Sequence, residues 1–207
     1  MKALITFTEP LLGTLSGNPE IAEEFILTKH PEGISKDELD AQNHLEEVTE
    51  KSSTVFARNP DGKPMLWDYQ VKGFFKEACQ AMIHTGAMTK EELKKVRLTE
   101  YLYKKSIDQL IFVFPRQIIL QLPDGCDSDK LPFCQRPLRG QTMKGERISL
   151  ARSEEVPAGT KIEVEIKCLN PKLEDFTKQW LTYGALKGFG QWRNSGKGRF
   201  DWQELTS

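Results

Sequence analysis

Thr160-Lys-Ile-Glu-Val-Glu-Ile-Lys167 alternates charged and β-branched residues without interruption. A period of two sends successive side chains to opposite faces of a pleated strand, so the stretch predicts a strand with one apolar and one wetted face. Val156-Pro-Ala-Gly159, just before it, has the residue chemistry of a turn. After it, Asn170-Pro171 opens Leu173–Leu186, where Phe176, Trp180, Leu181 and Tyr183 recur at helical spacing. A glycine-rich block then leads to Phe200 and Trp202, whose alternation predicts a final strand. The C-terminal third therefore reads strand, helix, loop, strand.

Outward from there, residues 2–8 (Lys-Ala-Leu-Ile-Thr-Phe-Thr) are β-rich and closed by Pro10 and Gly13, which predicts a first strand followed by a turn-rich loop to Gly17. Pro19 to Leu27 predicts a short helix with Asn18 as its cap. Thr54–Arg58 and Pro64–Trp67 flank Asn59-Pro-Asp-Gly62, the chemistry of a hairpin turn. Asp68 is expected to cap a helix whose apolar positions are Val71, Phe74, Phe75, Ala78 and Met82, ended by Gly86. Thr89-Lys-Glu-Glu92 is a capping box that starts another helix. Leu110–Phe114 and Ile118–Leu122 read as strands broken at Pro115. Helices separated by antiparallel strand signals, without strict βαβ alternation, predict an α+β fold with helices on one face of a sheet.

The chain has 207 residues, 38% of them hydrophobic, enough for a real core in one large domain or two small ones. No apolar run reaches the roughly eighteen residues needed to span a bilayer, and the N-terminus turns polar too soon for a signal peptide; a cytoplasmic protein with no membrane partner is expected. Cys79, Cys126, Cys134 and Cys168 lack C-x-x-C spacing, and His30, His44 and His84 are scattered, so no metal and no cofactor are expected and the thiols are read as reduced. Cys126 and Cys134 bracket a polar loop, where pairing is the alternative.

The net charge of −1 conceals a strong asymmetry. Glu20 to Glu50 is densely acidic. Cations gather instead at Arg136, Arg139, Lys144, Arg147 and Arg152, and again at Lys187, Arg193, Lys197 and Arg199. In the second cluster they are interleaved with Gly188, Gly190, Gly196, Gly198 and Trp192. Glycines allow backbone N–H groups to approach a ligand, basic side chains supply charge, and a tryptophan offers a stacking face. If the two clusters meet, they form a positive groove suited to an anionic ligand; the plainer reading is two solvated faces. No Walker pattern is present.

Four segments in order resemble the RAMP superfamily, the CRISPR-associated proteins that bind guide RNA or nucleotide ligands on a ferredoxin-like (RRM-like) core. They are the first strand with Pro10-Leu-Leu-Gly13; Asp61-Gly-Lys-Pro-Met-Leu-Trp-Asp-Tyr-Gln-Val-Lys-Gly73; Glu155-Val-Pro-Ala-Gly-Thr-Lys-Ile-Glu-Val-Glu-Ile166; and the glycine-rich block from Gly188 to Phe200 after a helix. The resemblance implies a single RAMP-like domain over 1–207 with an acidic insertion at about 28–53 and a basic hairpin or arm at about 123–155. It implies a sheet with helices packed on one face, and RNA binding by the glycine-rich loop and by the helix start near Lys72 and Gly73. No histidine lies near these motifs, so general acid/base RNA cleavage lacks its usual agent. Carboxylate-assisted cleavage through Asp37 or Asp40 stays open, and an endoribonuclease is the enzymatic alternative.

The first expectation is a non-catalytic RNA-binding protein, either a CRISPR-type ribonucleoprotein subunit that contacts other subunits or a stand-alone relative. The second is a binder of a small nucleotide or signalling oligonucleotide, favoured by the neutral net charge. The third is an anti-defence protein mimicking a CRISPR subunit, with the acidic segment imitating nucleic acid.

Overall fold

The computed structural model describes residues 1–17, 53–87, 89–142 and 145–205, and only the backbone of 90, 138–142 and 145–150. The helix expected at 19–27, the acidic 28–53 insertion apart from Ser53, and Lys144 lie outside the described residues.

The elements run β1 (Lys2–Phe7), β2 (Leu11–Leu12), β3 (Leu15–Ser16), β4 (Ser53–Val55), β5 (Ala57–Arg58), β6 (Pro64–Trp67), α1 (Asp68–Thr85), α2 (Lys90–Lys95), α3 (Tyr103–Leu110), β7 (Ile111–Phe114), β8 (Gln117–Ile119), β9 (Phe133–Thr142), β10 (Gly145–Val156), β11 (Lys161–Cys168), α4 (Lys172–Lys187) and β12 (Phe200–Leu205). The main sheet has the strand order β12-β1-β11-β7, every neighbouring pair antiparallel. Two strand-helix-strand units, β1 to β7 and β11 to β12, are interleaved in it, which is the ferredoxin-like arrangement. Among the described residues the fold is α+β, with mainly antiparallel sheets and four helices packed against them.

Alternation does what the sequence pattern demands. Ala3, Ile5 and Phe7 of β1 and Ile162, Val164 and Ile166 of β11 are buried on the helix side. Phe75 of α1 meets Trp180 of α4 with ring centroids 5.7 Å apart. Gly184, in the last turn of α4, is where Phe200 packs: a Cβ there would lie 2.0 Å from the Phe200 ring. This glycine belongs to the core and not to the loop that follows it.

Several local expectations differ from the structure. Asp68 is the first helical residue of α1 and not its cap; Trp67 takes the cap position, and its N–H donates to Gln70 Oε1 at 2.7 Å. The segment before Ile111 is helical as α3, because Tyr103, Ser106 and Ile107 are buried on one face against the core. Thr89 and Glu92 form the reciprocal capping pair, Thr89 N–H to Glu92 at 2.9 Å and Glu92 N–H to Thr89 Oγ1 at 3.3 Å, but α2 is only six residues long. All four cysteines are free thiols. Among the described residues no helix is long and apolar enough to cross a membrane.

Candidate functional site

Within the span 123–155, where a basic hairpin or arm is expected, β9 and β10 form a ribbon paired from Phe133 opposite Glu154 to Thr142 opposite Gly145. Its root is tied to the body at three places. Glu155 and Val156 pair with β2, and Arg152 and Ser153 lie parallel to β4. Glu154 is buried; its carboxylate accepts from Phe56 N–H at 2.8 Å and pairs with Arg58, whose guanidinium also donates to Ser128 O at 2.8 Å. Burial holds the Glu154 carboxyl above its ordinary pKa, against the opposing pull of Arg58 and the Phe56 N–H.

The glycine-rich loop reaches the same place from the other end of the chain. Phe189 and Phe200 enter the core around Phe7 and Phe74, with Phe74–Phe200 centroids 5.4 Å apart. Phe189 N–H donates to Gly198 O at 2.8 Å, and Gly198 N–H donates to Pro10 O at 2.9 Å. Gly188 and Gly198 both have positive φ, and a Cβ on Gly198 would sit 2.0 Å from Phe189 O. The N–H groups of Gly188 and Gly196 are likewise taken by Gly184 O and Arg193 O. These glycines close the loop on itself; the approach of a ligand to their N–H groups, expected above, is replaced by protein carbonyls.

Loop and ribbon meet at Arg136. Its guanidinium, 7% exposed as a residue, donates to Ser153 Oγ at 3.0 Å and to Gln191 Oε1, and lies over the Trp192 ring with Cζ 5.5 Å from its centroid. Trp192 is 40% exposed and has φ of 52°, in the left-handed region that non-glycine residues seldom occupy. One residue on, Arg193 is paired with Glu77 of α1; Lys197 binds Glu155 at 2.7 Å. Lys187 and the exposed Arg199 have no side-chain hydrogen bond or ion pair among the described residues. Cys134 adjoins this cluster, its thiol held above the ordinary pKa by burial first and by the Glu155 carboxylate next.

Other expected site residues lie elsewhere or are defined only by backbone. Along α1, Gln70, Phe74 and Glu77 face β3 and the loop, through Gln70 Nε2 to Thr14 Oγ1 at 2.7 Å, the Phe74–Phe189 contact and the Arg193 pair. Lys72 projects differently: its ammonium lies 5.2 Å from the centroid of Phe112 on β7. Gly73 is exposed, and a methyl group at its Cα would meet nothing within 4 Å, so no close approach requires glycine there. Arg139 pairs in register with Ile148, and Arg147 with Gly140, further out along the ribbon. Glu155 and Gln191, which orient two of the cations, carry no motif signal; for Glu77, helical spacing with Gln70 and Phe74 is the one pointer the sequence holds.

The open face of the main sheet is a poor rival. Register places Lys2, Leu4, Thr6, Lys161, Glu163, Glu165, Lys167, Asp201, Gln203, Leu205, Phe112 and Phe114 on it. Its central strands present no aromatic for base stacking, the exposed Phe114 lies on the edge strand β7 beneath Lys167, and the charges of this face are mixed in sign.

No family model and no curated protein matches the chain. Among solved structures it is similar to a chain of the Type III-B Cmr-beta complex bound to cognate target RNA, with TM-score 0.49 and 10% identity over 99% of this chain. It spans 58% of the length of that neighbour. A chain of a Type IV-B CRISPR complex is similar at TM-score 0.49 and 12% identity, covering 100% of this chain and 90% of that one. Cmr6 from Pyrococcus furiosus is similar at TM-score 0.49 and 11% identity, covering 97% and 96%. At these TM-scores and identities the likeness carries no argument about function, which has to come from the site.

Proposed function

We propose that the chain is a non-catalytic RNA-binding protein of RAMP type, a subunit of a CRISPR-type ribonucleoprotein or a relative acting alone, and that the junction of the glycine-rich loop with the β9–β10 ribbon is its binding surface. The observation that carries the reading is the Arg136–Trp192 contact: two basic regions far apart in sequence converge on an exposed indole held in a left-handed backbone conformation. A stacking ring flanked by cations suits a single strand, whose bases offer π-faces and whose phosphates offer charge. Arg199 in the loop and Lys187 at the end of α4 are the cations open to phosphate. Arg193 and Lys197, each already balanced by a carboxylate, chiefly anchor the loop and shape its charge. Lys72 and Gly73, on another side of α1, belong to this surface only if a strand wraps the helix; Arg139, Lys144 and Arg147 extend it if the ribbon acts as an arm.

The test is fluorescence anisotropy with a fluorescein-labelled 20-nucleotide single-stranded RNA over a salt series. Binding whose log affinity falls with log salt at a slope near −0.7 per phosphate contacted is expected. Absence of binding at low salt contradicts the proposal. A nuclease-resistant ligand copurifying with the protein would point to the small-nucleotide reading, and tight binding to a CRISPR ribonucleoprotein without RNA affinity would point to mimicry.

A further inference from the structure

Beside the junction, the described residues enclose a cavity of about 240 Å³, beneath the range of about 300–1,000 Å³ usual for drug-sized ligands. Trp67, Phe74 and Phe189 contribute flat apolar walls, with Tyr69 stacked on Trp67 at a 13° interplanar angle and Val55 and Met65 behind. The polar groups are few and mixed. Gln70 is locked, accepting from Trp67 N–H at 2.7 Å and donating to Thr14 Oγ1 at 2.7 Å, which leaves its second amide hydrogen and the Thr14 hydroxyl hydrogen to donate. The Arg193–Glu77 pair, partly exposed, supplies further donors and one carboxylate acceptor.

These features select against a phosphate. A carboxylate in the wall repels an anion, the cation is already neutralised, and most of the lining is apolar. They favour a neutral, planar, heteroaromatic group whose edge carries both donors and acceptors. We infer that the cavity is a nucleobase pocket. Aromatic side chains line the faces of the base, and Gln70, Thr14, Arg193 and Glu77 meet its polar edge. Trp192 precedes Arg193 in the chain, so a nucleotide adjacent to the captured base can stack on the exposed indole while its phosphate meets Arg199. The pocket rests on the RNA-binding reading only for the source of its base, which is either an extruded base of a bound strand or a free nucleotide.

Ala57 also lines the cavity, and Ala57→Leu would place new methyl groups in the empty volume. Anisotropy with single-stranded RNA and with an abasic oligonucleotide of equal length, and calorimetry with the four nucleoside 5′-monophosphates, form the test. The expected result is RNA affinity about tenfold weaker in A57L with unchanged affinity for the abasic strand. Monophosphate binding lost in A57L, without RNA binding by the wild type, supports the pocket and overturns only the RNA reading. Should A57L fail to fold, Glu77→Gln decides: it keeps the size of the side chain but exchanges an acceptor for a donor, and is expected to reorder the preference among the four homopolymers or monophosphates. Folded A57L and E77Q proteins that bind every probe as the wild type does overturn the pocket. Absence of binding to any probe by the wild type overturns both inferences.

Discussion

Both the open face of the four-stranded sheet and the loop–ribbon junction carry many charged side chains and an exposed ring with a cation over it, Phe114 with Lys167 and Trp192 with Arg136, yet only at the junction do two regions distant in sequence converge on that ring. On the sheet, Lys2, Lys161 and Lys167 are interspersed with Glu163, Glu165 and Asp201, and Lys167 lies 3.5 Å from Glu165. At the junction each carboxylate is paired with a cation: Glu77 and Glu155 hold Arg193 and Lys197, while Arg136 supports Trp192 and Arg199 is left toward solvent. The sheet serves as scaffold, and the candidate site lies in what loops and the ribbon add to it.

The largest test of that contrast is structural. Phe200, the first residue of β12, packs on the bare flank of Gly184 and in the Phe7, Phe74 cluster, so Phe200→Ala should lower stability by about 3–5 kcal/mol in urea unfolding. RNA affinity should fall with it, since the loop loses its seat. Trp192→Ala separates binding from folding: an expected loss of about 1–3 kcal/mol in RNA affinity by anisotropy, with an unchanged melting temperature. An unchanged affinity would remove the indole from the site.

Glu154 sharpens the comparison at the ribbon root. Its folded-state pKa is raised, so the folded protein holds this proton more tightly than the unfolded chain, and stability from this group falls as pH rises from about 4.3, the unfolded value, through the raised folded value. The stability of wild type minus that of Glu154→Gln should therefore decline over that interval in pH-dependent unfolding; a rise would reverse the assignment. The smallest effect is expected on the sheet. Lys161→Ala and Lys167→Ala should change RNA affinity by less than about 0.5 kcal/mol, as for isolated surface charges.

The framework was legible where a single period governs a segment. The alternation of 160–167 became β11, and the spacing of Trp180 and Leu181 became the buried face of α4, because one-sided burial imprints its period on sequence. α3 was hidden because it is short and runs directly into β7 with no breaker between Leu110 and Ile111. At the site, cations and the tryptophan were visible as residue types, but their partners were not. Glu77, Glu155 and Gln191 are common polar residues whose role depends on long-range approach. The glycines misled in one respect: their small size serves contacts such as Gly198 against Phe189 O and Gly184 against Phe200, which a local pattern cannot distinguish from an open anion cradle.

Ultraviolet cross-linking of the full chain to uniformly labelled single-stranded RNA, read by peptide mass spectrometry, addresses the central claim most directly. The account predicts adducts on Trp192 and its neighbours between Lys187 and Phe200, accompanied by adducts on the 133–156 ribbon. Adducts confined to Phe112 and Phe114 on the sheet face, with the loop and ribbon unmodified, would contradict it.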